Sequence, residues 1–372
     1  MATPRVLHLA SWFPSAAEPT LGNFVLRHLE ALATQIPVTV IATAQGAPGI
    51  EDSKNGNLRI VRVFYQKKAP FYSKYKAYFK GYHFLLSRGE RFDLLHVHVT
   101  YPAAAAARSM GLPYLITEHF SGFQPERNYQ WGLFEKKLTR WGLKKAAMLL
   151  PVSEGLGQAM QSFGYRGAVK PISNVVNTEI FNFLGKTRNN RPKRFLHIST
   201  LQNGTKNITG LLDGFALLAE KSSDFELAIG GDGDTEWLRQ EIAARNLPQL
   251  EILQEMAQSE VAHQMQKADC FVLFSHIESQ GVVLLESLCC GTPVIGPKVG
   301  GVPEIVSPER GILVEPNQPA QLCRALQQML EGFEFNAHEI AQKAKAQYGQ
   351  AAIAQKFKEA YASVLRSSAS GH

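Results

Sequence analysis

Two glutamates eight residues apart, Glu278 and Glu286, bracket Gln280, Gly281, Val282 and Val283. The segment follows an apolar run, Asp269–Phe274, and is closed by Gly291 with Pro293 just beyond. That order predicts a helix that begins near Gly281 and stops at Gly291. The free N–H groups at Gly281, Val282 and Val283 would then face the carboxyl edge of a strand, where an anion is stabilised. A helical rise of ~1.5 Å per residue separates the two carboxylates by roughly 12 Å. Carboxylates that hydrolyse a glycosidic bond stand only roughly 5–9.5 Å apart. The spacing instead suits an elongated ligand with hydroxyls at both ends and negative charge between them.

The elements that would hold these residues follow an alternating pattern. Apolar or β-branched runs at residues 5–10, 38–41, 58–63, 93–98, 113–117 and 147–152 read as strands, with helical patterns such as 23–34 and 131–145 between them. A polar stretch, 185–193, interrupts the alternation, which resumes with strands at 194–199, 225–230, 250–253, 269–274 and 293–296. Alternation of this kind predicts an α/β class with two doubly wound parallel sheets. The expected division is a first domain over 1–184, a linker over 185–193, a second domain over 194–345, and a C-terminal helix with its tail over 346–372.

The 372 residues are 45% apolar and 19% charged, which excludes a disordered or fibrous chain, and no apolar run is long enough to cross a bilayer. Four cysteines without framework or zinc spacing, and an N-terminus without a charged-then-apolar leader, point to a reducing cytoplasm. Charge is unevenly spread. Residues 1–188 hold 23 Lys and Arg against 11 Asp and Glu, a net of +12, whereas residues 189–372 net −5. The densest basic part, Tyr65 to Arg91, carries Lys67, Lys68, Lys74, Lys76, Lys80, Arg88 and Arg91 with Phe71, Tyr75, Tyr78, Phe79 and Tyr82 at helical spacing. It reads either as an ordinary helix, aromatics in the core and lysines in water, or as an interfacial patch for anionic lipid or a lipid-diphosphate acceptor at the inner face of the membrane. His8, His96 and His98 lack ligand spacing and read as structural, and His276 as the histidine among these nearest the site.

Glu278-x7-Glu286, the Cys290–Ile295 segment after it and Val299–Val306 resemble the signature of glycosyltransferase family 4, the retaining enzymes of GT-B fold. The likeness spans most of the chain: Gly22-Asn23-Phe24 resembles the family's N-terminal glycine loop, Thr117-Glu118-His119 its active-site histidine loop, and Gly311–Val314 the close of its second domain. The resemblance implies two Rossmann-like domains facing across a cleft, a C-terminal helix crossing back to the first, and a UDP- or GDP-sugar donor held mainly by the second. It implies a glycan or lipid-linked cell-envelope acceptor, no nucleic-acid partner, no cofactor and no metal. Lys206 is then the diphosphate lysine, Glu278 faces the sugar, Glu286 the ribose, and His119 orients the sugar, with Gly22, Asn23, Gln280, Gly281, Val282 and Val283 lining the donor. Thr200 stands where members usually carry an arginine, and Leu21 precedes Gly22 where a second glycine is common. Asp232 and Asp234 resemble the family's Gly-Asp-Gly turn rather than a metal pair. Two other functions fit the same fold: nucleotide-sugar epimerisation, or binding of a nucleotide sugar without catalysis.

Overall fold

The computed structural model describes residues 4–66, 70–185, 192–247, 250–332 and 334–369. Lys67, Lys68, the Phe71 side chain, most of the polar stretch 185–193 and the last residues of the tail lie outside that set. The chain forms two compact units, residues 1–175 with 350–372, and residues 176–349.

In the first unit the order is β1 (Val6–Ala10), α1 (Asn23–Ala33), β2 (Val38–Gln45), β3 (Gly49–Asn55), β4 (Leu58–Tyr65), α2 (Pro70–Ser87), β5 (Leu94–His98), α3 (Thr100–Met110), β6 (Tyr114–Glu118), α4 (Leu133–Leu143), β7 (Met148–Pro151), α5 (Glu154–Phe163) and β8 (Ala168–Val169). The second unit runs β9 (Lys193–Ile198), α6 (Asn203–Lys206), α7 (Ile208–Ala219), β10 (Phe225–Gly230), α8 (Thr235–Ala244), β11 (Leu250–Ile252), α9 (Gln258–Lys267), β12 (Cys270–Val272), α10 (Val282–Cys289), β13 (Val294–Pro297), α11 (Val302–Ile305), β14 (Gly311–Val314), α12 (Pro319–Leu330) and α13 (Ala337–Tyr348). The last helix, α14 (Gln350–Ala369), belongs to the first unit.

The second sheet has the strand order β11-β10-β9-β12-β13-β14, all parallel. The order reverses direction between β9 and β12, and that switch point opens a crevice at the strands' carboxyl ends. The first sheet, β3-β4-β2-β1-β5-β6-β7-β8, has the same reversal between β1 and β5. Strand β3 alone is antiparallel, paired with β4 through a tight turn at Gly56. Its sequence is polar and exposed from Glu51 to Asn55, so it carries no alternation by which it could be read.

Alternation within the first sheet separates two cores. Leu7, Leu9, Leu95 and Val97 face α2 and α3, whereas Val6, Ala10 and Leu94 face α1 and α14. His8, His96 and His98 share the parity of the second set, and the register pairs His8 with His96 and Ala10 with His98. Three imidazoles therefore lie within an otherwise apolar layer.

The units divide at Val175/Val176 and Gly349/Gln350, about ten residues ahead of the expected linker and four beyond the expected second boundary. Packing is the reason. Val176 N–H donates to the Tyr348 carbonyl at 2.9 Å, and Val176 and Phe181 are buried in the second unit's core. The Ala-, Gln- and Lys-rich pattern over 336–366 reads as one long helix, but the structure has two, separated by Gly349, where a Cβ would meet the Lys345 carbonyl oxygen at 2.6 Å. Ile353, Phe357 and Tyr361 of α14 are buried against the first unit's core. No helix among the described residues is long and apolar enough to cross a membrane, and all four cysteines are free and buried.

Docking of α14 rests on that apolar stripe. Phe357 is wholly buried, so Phe357→Ala is expected to destabilise the first unit by about 3–5 kcal/mol in urea unfolding; a loss below about 1 kcal/mol would show that α14 is dispensable to its core.

Candidate functional site

At the switch point of the second sheet, the loop after β9 and the loop after β12 meet. α6 ends at Lys206, and Asn207 follows in a left-handed conformation and caps α7, its side-chain oxygen accepting from Gly210 N–H in that helix's first turn. Lys206 Nζ donates to Glu278 Oε1 at 2.6 Å, and Ser275 Oγ donates to the same oxygen at 2.8 Å. Glu278 is only 8% exposed. His276 N–H donates to the Thr205 carbonyl at 2.9 Å, which joins the two loops through the backbone as well. Lys206 and Glu278, assigned above to different parts of one ligand, are here a charge pair in direct contact. Removing either partner leaves the other charge poorly solvated.

Beyond Glu278, Gln280 is buried and Gly281 takes φ 88° at the head of α10. The helix begins at Val282, and no side chain caps it, so the first-turn amides at Val282 and Val283 have no side-chain acceptor. Its stop is as expected, with Gly291 at φ 74°. Glu286 lies inside α10 and is 4% exposed. Because Glu278 is on the loop and not in the helix, helical rise does not set the spacing of the two carboxylates.

The floor of this crevice depends on glycine. A Cβ at Gly231, where φ is 145°, would fall 1.6 Å from the Ser199 carbonyl oxygen. The turn after β10 can therefore lie against the loop after β9 only without a side chain. Asp234 Oδ1 accepts from Glu236 and Trp237 N–H and caps α8, which uses the carboxylate structurally. Thr200 stands nearby with its hydroxyl oxygen buried and unpartnered. His197 lies beneath the loop, its Nδ1–H donating to the Val272 carbonyl at 2.8 Å and its Nε2 accepting from Ser199 Oγ at 2.8 Å. Burial, helped by the Lys206 charge and opposed by the Val272 bond, lowers its pKa to about 4.

The first unit presents its own loops at the switch between β1 and β5. Gly22 heads α1 at φ 74°, and a Cβ there would lie 2.5 Å from the Trp12 backbone carbonyl, so packing alone requires glycine. Asn23 begins α1, which has no side-chain cap either. Glu118 ends β6 wholly buried, and its carboxylate accepts from Thr100 N–H and Oγ and from His119 and Phe120 N–H. Burial pushes its pKa up against the pull of those bonds. It holds the turn that carries His119, whose ring is fixed by Asn174 at 3.0 Å and lies 4.3 Å from the Phe24 ring. A cavity of about 320 Å³ opens beside this turn, lined by Trp12, Tyr101, Phe120, Tyr129, Trp131 and Lys74 among others.

Lys74 corrects the expectation for the basic segment. Its ammonium turns inward, 3.5 Å from the Ser11 carbonyl, and burial lowers its pKa. Tyr78 is wholly buried, its hydroxyl donating to the Ala10 carbonyl. The aromatic stripe is therefore partly core. Lys76 and Lys80 remain exposed, with Lys76 Nζ 4.3 Å from the centre of the Tyr72 ring.

Glu278 and Lys206 are thus brought together with Gln280, Gly281, Val282, Val283 and Glu286 in the second unit, while Gly22, Asn23 and His119 belong to the first. Sequence reading gave Ser275, Ser199, Glu118 and Asn174 no role of their own; their contacts with Glu278, His197 and the His119 turn show what each holds.

Residues 21–180 match the family described as Glycosyltransferase Family 4, and residues 180–347 that described as Glycosyl transferases group 1. The N-acetyl-alpha-D-glucosaminyl L-malate synthase of Bacillus anthracis is 24% identical over 310 residues, 77% of this chain and 78% of the relative. The putative teichuronic acid biosynthesis glycosyltransferase TuaC of Bacillus subtilis is 24% identical over 356 residues, 87% and 88% of the two chains. Among solved structures, Anabaena HepE in complex with UDP-glucose superposes with a TM-score of 0.75 at 16% identity, over 96% of this chain and 100% of that one.

The His197 ring gives the site a defined acid sensitivity. The unfolded chain takes up a proton near 6.5 while the folded ring stays neutral down to about 4. Its contribution is therefore complete above pH 6.5 and drains away as the pH falls towards 4, by up to about 3 kcal/mol. Urea unfolding at several pH values should show a steeper acid loss for the wild type than for His197→Gln, and parallel curves would refute the burial argument.

Proposed function

The chain belongs to glycosyltransferase family 4 and is a glycosyltransferase of GT-B fold, and from that premise we propose that it moves a sugar from a UDP- or GDP-sugar to a cell-envelope glycan or lipid-linked glycan acceptor with retention of configuration. The observation that carries this reading is the Lys206–Glu278–Ser275 cluster at the switch point of the second sheet, beside the uncapped start of α10. The donor's diphosphate lies at the α10 amides and Lys206, where backbone dipoles and an ammonium meet two phosphates. As the sugar–phosphate bond breaks, the growing charge on the leaving nucleoside diphosphate is offset by that ammonium, with no reorganisation of water. Donor binding draws Lys206 away from Glu278, and the freed carboxylate accepts from sugar hydroxyls. Glu286 accepts from the ribose.

With Thr200 in place of an arginine, one side-chain cation and the backbone amides hold the phosphates. By the family resemblance Gly22 and Asn23 of the first unit are donor residues, and His119, its ring fixed by Asn174 and Phe24, is the residue that orients the sugar. In front-face transfer the departing phosphate oxygen takes the acceptor hydroxyl proton, so no protein nucleophile is needed. The transfer itself calls for no metal ion. Asp234, the chain's most metal-like carboxylate by motif, is committed to the cap of α8. Support for a nucleotide-sugar donor comes from the UDP-glucose complex of a protein of this fold, and for an envelope polysaccharide from the teichuronic acid relative. The aromatic cavity beside the His119 turn suits the acceptor sugar, whose apolar ring face stacks on Trp and Tyr rings.

Glu278→Gln is expected to lower kcat about 100-fold or more while UDP or GDP still binds, and Lys206→Ala to weaken that nucleoside diphosphate at least tenfold by calorimetry. Full turnover in the first variant, or unchanged affinity in the second, would refute these roles. Following UDP-sugars by NMR without acceptor separates transfer from epimerisation, which alone yields a new sugar nucleotide.

A location at the inner face of the cytoplasmic membrane is part of the same proposal, supported by the exposed Lys76 and Lys80 of α2. Replacing Lys76 and Lys80 together by alanine should weaken binding to phosphatidylglycerol vesicles about tenfold or more, with nucleoside diphosphate affinity unchanged. Equal vesicle binding by the variant would remove α2 from the membrane reading.

A further inference from the structure

A second group of titratable side chains, outside the Lys206–Glu278 cluster, lies at the switch point of the first sheet. One ring nitrogen from each of His28, His98 and His119 lies within 4.8 Å of the other two. The three come from α1, the carboxyl end of β5 and the turn after β6. His28 and His98 are wholly buried and His119 nearly so.

The other nitrogen of each ring is already committed. His28 Nε2 faces the Ser173 carbonyl oxygen at 3.1 Å, which only accepts, so Nε2 carries the proton and Nδ1 keeps a lone pair. His119 Nδ1 faces Asn174 Oδ1 at 3.0 Å, which in the same way leaves the lone pair on Nε2. His98 Nε2 faces His8 Nδ1 at 3.1 Å, and when it donates there the lone pair falls on His98 Nδ1. Nδ1 of His28 and Nδ1 of His98 are buried without a hydrogen-bond partner. Metal-ligating histidines are oriented in this manner, each donating its second N–H to a fixed acceptor.

We propose that His28, His98 and His119 form a site for one transition-metal cation of the zinc, cobalt, nickel or copper class, bound through His28 Nδ1, His98 Nδ1 and His119 Nε2. Three neutral imidazoles suit those cations, whereas calcium and magnesium take oxygen ligands. Burial keeps the rings neutral and their lone pairs available, holding His28 at about 4 and His98 and His119 well below the ordinary value. Tetrahedral bonds of about 2.0–2.1 Å set the nitrogens about 3.4 Å apart, so a bound cation draws together three rings whose nitrogens already lie within 4.8 Å. His96 holds the far side: Tyr361 OH and Thr117 Oγ engage its two nitrogens at 2.8 and 2.7 Å, and its ring lies 4.1 Å from that of His98. Of the three rings His119 alone reaches the surface, at 7% exposure. The metal and transfer readings share His119 alone: with Nδ1 on Asn174, its Nε2 serves either the cation or the sugar and not both at once.

The test uses the full chain, stripped with a chelator and titrated with zinc or cobalt(II) alone. One equivalent should bind with micromolar or tighter affinity, cobalt should show the visible bands of a tetrahedral site, and X-ray absorption should give a shell of three imidazole nitrogens. His28→Gln and His98→Gln should each weaken binding at least ~100-fold, whereas His263→Gln, on the exposed face of α9, should change nothing. Binding no tighter than millimolar, a shell without imidazole, or unchanged affinity in folded His28 and His98 variants would overturn the site. Should those variants fail to fold, the wild-type cobalt and X-ray spectra decide it. Neither readout involves donor or acceptor, so failure here leaves the transfer reading intact, and the reverse holds.

Discussion

The geometry of the second unit depends on one ion pair that water scarcely reaches. Lys206 ends a helix of a single turn, too short to be stable by itself. Glu278 sits on a loop that precedes an uncapped helix. Joined at 2.6 Å they fix each other, and the Thr205–His276 backbone bond closes the same junction from a second direction. A charge pair of this kind adds little net stability to a fold, because the desolvation of both groups offsets most of their attraction. Its weight is positional: a ligand that brings its own negative charge and its own hydroxyls can take over both partners without stranding either.

The sheet explains why the pair is where it is. Strands β9 and β12 are neighbours in space but far apart in sequence, with four helices, α6 to α9, and the strands β10 and β11 between them, both strands lying on one side of β9. The reversal of strand order between them opens a crevice at their carboxyl ends, and their loops meet across it through Lys206–Glu278 and Thr205–His276. Gly231 then allows the β10 turn to close the floor from below. The first unit repeats the reversal between β1 and β5, and the same consequence appears there: Gly22 packs on Trp12, and the aromatic cavity and the His119 turn gather at one edge.

Much of this was legible in the residues. Buried parallel strands are long apolar runs, and each strand so read in either half is present. Gly281 and Gly291 announced the ends of α10 because left-handed backbone has a strong residue preference. Four features were not legible. β3 is polar and held by pairing to β4 alone, so it lacks a pattern of its own. The domain boundary followed the packing of Val176 and Phe181 and not the polar composition of 185–193. Lys74 looked like its neighbours Lys76 and Lys80, yet helical phase turns it inward. Ser275, Glu118 and Asn174 act by orienting a neighbour across a turn or between strands, and a single sequence holds no signal for that.

The histidines of the first unit pose a physical question that the sheet does not answer. His8, His96 and His98 occupy inward positions on β1 and β5 that Val or Leu would fill more cheaply, since a buried imidazole nitrogen left without a partner costs about 1–3 kcal/mol. His96 escapes that cost, as both of its nitrogens are engaged. His28 and His98 do not, each keeping an unpartnered Nδ1. Apolar packing alone would not place two such atoms beside His119, at the carboxyl edge of a sheet whose reversal opens towards ligand. Exchange of either ring for leucine would remove a desolvated lone pair from the core. That both rings nonetheless stand there, each oriented by a second-nitrogen hydrogen bond, is better accounted for by an occupant that uses the lone pairs than by the fold.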